Sequence, residues 1–206
     1  MIDSKIKAVI FDFGGVIINI NYNDTIEAFK ALGISDFEAM YSQAQQSNLF
    51  NEIEIGQISA QRFINGLMDF LPEGTSPNAI VHAWNAMIKD VPVETIELLI
   101  KLKNQGYKIF LLSNTNEIHI TPALKAWDKS SDKLITDVFN HVYLSHEMGM
   151  RKPHKEIFEF VCEEQDLDKK ETLFIDDSIQ HIEGAKEAGL NTHHLTKQTD
   201  IYSLFS

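Results

Sequence analysis

Four polar features stand at strand ends or in loops, and their residue types are those that group transfer to a carboxylate needs. Asp12 closes the run 6–11 and is followed by Gly14 and Gly15. Ser113 closes the run 108–112, Lys152 precedes Pro153, and the pair Asp176-Asp177 closes the run 172–175. Together they offer a carboxylate nucleophile, a hydroxyl donor, a fixed cation and carboxylates able to hold a metal. That set fits phosphoryl transfer through an acyl phosphate. Taken singly, each has a plainer reading: Asp12 as a loop cap, Lys152 as a solvated cation, the acidic pair as a helix N-terminal feature.

Such residues act only if regular elements bring them together. Ile6, Ala8, Val9, Ile10 and Phe11 form a short, nearly continuous apolar run, the pattern of a strand buried on both faces of a parallel sheet. Gly14 and Gly15 let the backbone turn sharply and leave room for a ligand beside the strand end. In open α/β sheets ligands sit beyond the carboxyl ends of the strands, which is where Asp12 falls.

From Val91 onward, helix and strand alternate. A helix is expected over 94–105, with Ile96, Leu99, Ile100 and Leu102 on one face and Gly106 just past its end. Strands follow at 108–112, 141–144, 172–175 and 191–195, separated by a less regular stretch 118–139 and by helices over 155–162 and 182–188. This rhythm predicts an α/β fold with a doubly wound parallel sheet.

The segment between the first strand and Lys89 reads differently. Asp24 is expected to cap a helix ending at Gly33, Ser35 and Glu38 fit a capping box, and 51–56 reads as a loop or turn. Ser59 opens a helix carrying Phe63, Leu67 and Phe70, and after a loop over 72–77 comes a helix with Ile80, Trp84 and Met87. The expected organisation is an α/β core over 1–19 and 91–206, with a small helical cap over 20–90 inserted after the first strand.

Composition narrows the function. A net charge of -12 over 206 residues argues against nucleic acid or an anionic membrane as partner, since both need a basic footprint. It leaves room for a small anionic substrate, because a bound metal or one placed Lys inverts the local field. Cys162 is the only cysteine, so no internal disulfide or thiolate cluster can form, and it reads as a small core residue. No apolar segment is long enough to span a bilayer, and the N-terminal run is broken by Asp12, so a cytoplasmic location is expected.

The motifs Asp12-Phe13-Gly14-Gly15-Val16, Ser113-Asn114, Lys152-Pro153 and Asp176-Asp177, in that order, resemble those of the haloacid dehalogenase superfamily. The resemblance covers essentially the whole chain, and the helical insert looks like that family's C1-type cap. The strings LLSNTNEIH and VYLSHEMGMRKP are especially similar to the sugar-phosphate phosphatase branch that includes bacterial α-D-glucose-1-phosphate phosphatase. The resemblance implies a Mg²⁺-dependent phosphatase for a small phosphorylated metabolite, working through an aspartyl phosphate on Asp12. By position it implies Asp12, the Gly14 carbonyl and Asp177 as Mg²⁺ ligands, with Asp176 behind them or as an alternative ligand. It implies Ser113, the Asn114 backbone N–H and Gly15 around the phosphate, Lys152 paired with phosphate and Asp12, and Asn116 facing the substrate.

Two departures from the family pattern stand out. Many family phosphatases carry a general acid and base two residues after the nucleophile, where this chain has Gly14; loss of such a group typically costs a factor of about 10²–10⁴. The branch it resembles most also has Gly there, and a good leaving group needs less protonation. His181 stands where Asp or Asn is usual, and reads either as a donor behind the metal site or as the first turn of a helix. Arg151 reads as solvent-exposed or as a contact to the cap, and His119, His193 and His194 as structural.

Two rival functions remain. A metal-independent dehalogenase would need a bulky residue at Gly14 and an Arg early in the insert, and no Arg lies between Val16 and Lys30. A degenerate family member serving as a regulatory partner is supported by Gly14 alone.

Overall fold

The computed structural model describes residues 2–34, 36–46, 48–196 and 200–205. Its frame is a parallel sheet of β1 (Ala8–Phe11), β2 (Lys108–Ser113), β3 (His141–Leu144), β4 (Thr172–Asp176) and β5 (Asn191–His194), in the order β3-β2-β1-β4-β5. β1 is central: Phe11 pairs with Leu111 on one side and Ile175 on the other. That register brings the carboxyl ends of β1, β2 and β4 to one edge, so Asp12, Ser113 and Asp176 emerge side by side. The doubly wound order is the one expected.

Between β1 and β2 run α1 (Tyr22–Ala31), α2 (Phe37–Gln46), α3 (Leu49–Glu54), α4 (Ala60–Met68), α5 (Pro77–Asn85) and α6 (Val93–Asn104). Then come α7 (Glu117–Ser130) and α8 (Ile135–Val138) before β3, α9 (Ser145–Met148) and α10 (Lys155–Glu164) before β4, α11 (Ile179–Glu187) before β5, and α12 (Ile201–Leu204).

Alternation along the strands splits the core into two layers. Val9, Phe11, Ile109, Leu111 and Ile175 pack with Leu99 and Leu102 of α6 and Trp127 of α7. Ala8, Ile10, Phe110, Leu112 and Phe174 pack with Phe158 and Val161 of α10 and Ile182 of α11. Cys162 belongs to this second layer, and burial pushes its thiol up to about 11, consistent with a packing role. A third apolar cluster lies within the insert, built from Phe29, Phe50, Ile53, Phe63, Leu67, Ile80 and Trp84, with Ile118 of α7 reaching into it. Two adjacent segments join the insert to the sheet: Asn19 N–H donates to the Asp90 carbonyl, Lys89 N–H to that of Asn19, and Asn21 N–H to that of Met87.

Several boundaries differ from the sequence reading. Residues 51–56 are not simply a loop: most of them complete α3, whose Leu49, Phe50 and Ile53 make a buried face too short to register as a period. The stretch 118–139 contains a 14-residue helix with Pro122 inside it. Proline normally breaks a helix interior, but burial of Ala123 and Trp127 against the sheet outweighs the lost hydrogen bond. α1 is capped by Asn21, whose side chain accepts from Asn23 N–H, while Asp24 pairs with Lys89. α5 ends before Met87, α10 runs past Cys162, and α11 begins at Ile179. The capping box expected of Ser35 and Glu38 lies outside the described residues; the Asp36 carboxylate accepts from Ala39 N–H at that helix start. Among the described residues no helix is long and apolar enough to cross a membrane.

Candidate active site

Lys152 is the centre of the edge where the strands end. Its side chain is 0% exposed, and its Nζ lies 2.8 Å from Asp12 Oδ1 and 2.7 Å from Asp176 Oδ2, Asp176 being equally buried. A buried ammonium is tolerated only when paired, and here two carboxylates share it. Burial alone would lower the Lys152 pKa, but the charges of Asp12 and Asp176 outweigh it and hold the pKa above its ordinary value.

The two carboxylates differ. Burial pushes Asp12 up to about 6 against the pull of Lys152, with Asp176 adding to the rise. For Asp176, burial is outweighed by Lys152 and His181, which hold it at about 2. Asp176 is also the better hydrogen-bonded: Ser178 N–H donates to Oδ1 at 2.8 Å, and His181 Nδ1 lies 3.0 Å from each carboxylate oxygen. That decides His181: it is a partner of Asp176 rather than only a helical residue.

The loop that carries Lys152 is fixed from three sides. The Asn114 side chain clamps its main chain, accepting from Lys152 N–H and donating to the Lys152 carbonyl, each at 2.9 Å. Gly184 of α11 faces the Pro153 carbonyl oxygen so closely that a Cβ would collide with it. Arg151 bridges to the insert: Nη2 is 3.0 Å from Glu54 Oε2, and Nη1 donates to Asn51 Oδ1 at 3.3 Å. Of the two readings of Arg151, the contact to the helical insert is the one observed.

Ser113 is buried at the end of β2. Beyond it, Ser145 secures the next turn, accepting from Thr115 N–H at 2.9 Å and donating to the Thr115 carbonyl at 3.0 Å. Asn116 caps α7: its side-chain oxygen accepts from Ile118 N–H and His119 N–H. His119 is structural, stacked on Trp84 and 2.7 Å from Asn85 Oδ1, with burial pushing its pKa down to about 4. His194 Nε2 lies 3.0 Å from the Asp177 carbonyl, closer to the site than a purely structural reading suggested.

Three atoms with ligand character, from Asp12, Asp176 and His181, lie within 4.8 Å of one another. The Lys152 ammonium already bridges the two carboxylates of that trio. Asp177 is different: the residue is exposed at the rim, but its carboxylate lies against Gly15, where a Cβ would collide with Oδ2, and partial burial and the charge of Asp176 push its pKa up. Gly15 has φ +74°, so its backbone and its missing side chain both serve this close approach. Three carboxylates thus face one ammonium, an excess of negative charge that suits a hard divalent cation with oxygen ligands. Of the two Asp12 carboxylate oxygens, Oδ1 is the one paired with Lys152.

A family model described as haloacid dehalogenase-like hydrolase matches residues 6–189. The chain belongs to the haloacid dehalogenase-like hydrolases. This hydrolase is 33% identical over 187 residues to the D-ribitol-5-phosphate phosphatase of Bacteroides thetaiotaomicron, covering 91% of this chain and 90% of the relative. It is 26% identical to a glyceraldehyde 3-phosphate phosphatase of Pyrococcus abyssi, covering 91% of this chain and 80% of that one. A crystal structure of a family enzyme from Bacteroides thetaiotaomicron, in complex with magnesium and inorganic phosphate, superposes with a TM-score of 0.89 at 36% identity. That likeness covers 98% of the hydrolase and 100% of the crystallised chain.

Proposed function

We propose that this hydrolase is a Mg²⁺-dependent phosphatase of small phosphorylated metabolites, a sugar or polyol phosphate among them, acting through an aspartyl phosphate on Asp12. The observation that carries the reading is the buried Lys152 ammonium between Asp12 and Asp176. It holds one oxygen of Asp12 and leaves the other to attack phosphorus. The phosphatases and the magnesium–phosphate complex among its relatives support the same chemistry.

In this reading Asp12, the Gly14 carbonyl and Asp177 hold the metal, with Asp176 held back by Lys152, His181 and Ser178. Bound magnesium supplies charge neutralisation on the phosphoryl group, without which a carboxylate is a poor nucleophile toward a dianion. Ser113 and the Asn114 N–H cradle the phosphoryl oxygens, whereas the Gly15 N–H, expected to join them, donates to the Ile18 carbonyl at 2.9 Å. Lys152 orients Asp12 and offsets charge as the ester bond breaks. Residues 20–90 form a cap that excludes water and selects the non-phosphate half of the substrate.

The test is phosphate release from a panel of phosphorylated sugars, polyols and short-chain metabolites, with Mg²⁺ and with chelator, alongside Asp12→Asn. Metal-dependent release that disappears in the variant is the expected result. No release from any member by the folded protein, or undiminished release by Asp12→Asn, would overturn the reading.

A further inference from the structure

Among the described residues, five buried side-chain polar atoms have no hydrogen-bond partner: Glu54 Oε2, Trp84 Nε1, His146 Nδ1, Arg151 Nε and His193 Nε2. Such atoms are rare in folded proteins, and each calls for an explanation. Four of them lie along the seam between the insert and the sheet. Trp84 stacks on His119 of α7, the His146 carbonyl faces Gly56, and Glu54 is paired with Arg151.

Of the three with acid–base chemistry, Glu54, His146 and His193, Glu54 is the one paired with the residue that precedes Lys152. It ends α3, and its Oε2 lies 3.0 Å from Arg151 Nη2 without hydrogen-bond alignment. Arg151 immediately precedes Lys152, so the tip of α3 is held against the loop that carries the catalytic ammonium. Glu54 is thus held, through Arg151, on the insert side of the loop whose Lys152 Nζ lies 2.8 Å from Asp12.

Position 14 offers no such group. A Cβ on Gly14 would meet Ile20 Cγ1 at 3.3 Å, so Ile20 lies where a side chain from residue 14 would extend. The groups facing Glu54 are Arg151, Lys152, Tyr22 and Tyr41. Burial raises its pKa, with Arg151 and Lys152 opposing the rise. The two tyrosines, pushed upward by burial, stay protonated and cannot serve as bases near neutrality.

We propose that Glu54 is the proton-transfer residue of this hydrolase, delivered by the insert in place of a side chain at position 14; the inference rests on the phosphatase reading above. In the first half-reaction an Asp12 oxygen bonds to phosphorus, the ester P–O bond breaks, and the departing alkoxide takes the carboxylic proton of Glu54. In the second, the Glu54 carboxylate, held by Arg151, accepts a proton from a water molecule. The water oxygen bonds to phosphorus and the bond to Asp12 breaks, releasing phosphate and returning Asp12 as carboxylate and Glu54 as acid.

The experiment compares wild type, Glu54→Gln and Glu54→Asp, with Mg²⁺, on monoesters ranging from polyol and alkyl phosphates to p-nitrophenyl phosphate. Thermal unfolding of each variant is measured in parallel. Glu54→Gln is expected to lose about 10²–10⁴ in kcat/KM on alkyl esters. On p-nitrophenyl phosphate, whose leaving group departs unprotonated, kcat/KM should change little while kcat falls and the acyl phosphate accumulates under acid quench. Glu54→Asp should recover part of the alkyl activity, and it carries the test if Glu54→Gln does not fold. An equal loss across the series, a loss confined to KM, or no loss would overturn the proposal. No release from any ester by wild type would overturn the phosphatase reading itself.

Discussion

Lys152 Nζ lies 2.8 Å from Asp12 Oδ1 with the lysine side chain wholly buried, and the same ammonium is shared with Asp176. This pairing joins the catalytic edge to the stability of the fold. Lys152→Met would leave two carboxylates facing each other without a cation. The expected cost is about 3–5 kcal/mol, seen as a lower urea midpoint with an unchanged slope, together with loss of phosphate release. A midpoint within experimental error of wild type would mean that Asp12 and Asp176 do not depend on this ammonium.

Metal binding should appear in stability, because a ligand that binds only the folded state raises its melting temperature. With Mg²⁺ at about a hundredfold over its dissociation constant, the gain is about 2.7 kcal/mol. Asp177→Asn should abolish that gain and leave metal-free stability nearly unchanged, since the residue is exposed at the rim. Asp176→Asn should instead weaken the metal-free protein, because Lys152, His181 and Ser178 all bond to it. If Asp177→Asn kept the full Mg²⁺ shift, the metal would have to sit elsewhere.

The sheet, and the edge at which Asp12, Ser113 and Asp176 gather, were legible because their signal is local. A strand buried on both faces reads as an apolar run, and Asp12, Ser113 and Asp176 each follow one directly. Lys152 was grouped with them on residue type alone, since nothing local brings a loop lysine to a strand end. The capping of α7 by Asn116 was not legible, because Pro122 concealed the helix. Glu54 was hidden by α3, a helix of 6 residues whose apolar face is too short to show periodicity. Its partner Arg151 lies 97 positions away in the chain, and pairing over such a distance leaves no trace in a single sequence.

Burial of His119 carries a pH signature. Its pKa falls from 6.5 to about 4 on folding, so the unfolded chain binds the proton more readily. The stability due to neutral His119 is complete above pH 6.5 and is lost as pH falls through 4. The decline amounts to up to about 3 kcal/mol at about 1.4 kcal/mol per pKa unit. His119→Phe should keep the stacking on Trp84 and flatten this acid limb, at the expense of the bond to Asn85. Denaturant midpoints taken between pH 7 and 4 check it, and an unchanged slope in the variant would assign the acid loss to other groups.

Gly56 is where the insert closes on the sheet. It has φ +67°, and a Cβ there would strike the carbonyl oxygen of His146, a main-chain atom that cannot rotate aside. Gly74 has φ +87° with nothing within 4 Å, so alanine there meets only the conformational penalty of about 1–2 kcal/mol. Gly56→Ala carries that penalty and must also push α3 away from α9. The displacement would draw Glu54 from Arg151 and loosen the seam over the site. Gly56→Ala is therefore expected to lose more stability than Gly74→Ala and to lower kcat/KM at least tenfold, whereas Gly74→Ala leaves kcat/KM as in wild type. Denaturation midpoints and phosphate release, measured on the two variants side by side, separate the shared backbone penalty from the contact. Equal effects at the two glycines would show that closure at His146 contributes nothing to turnover.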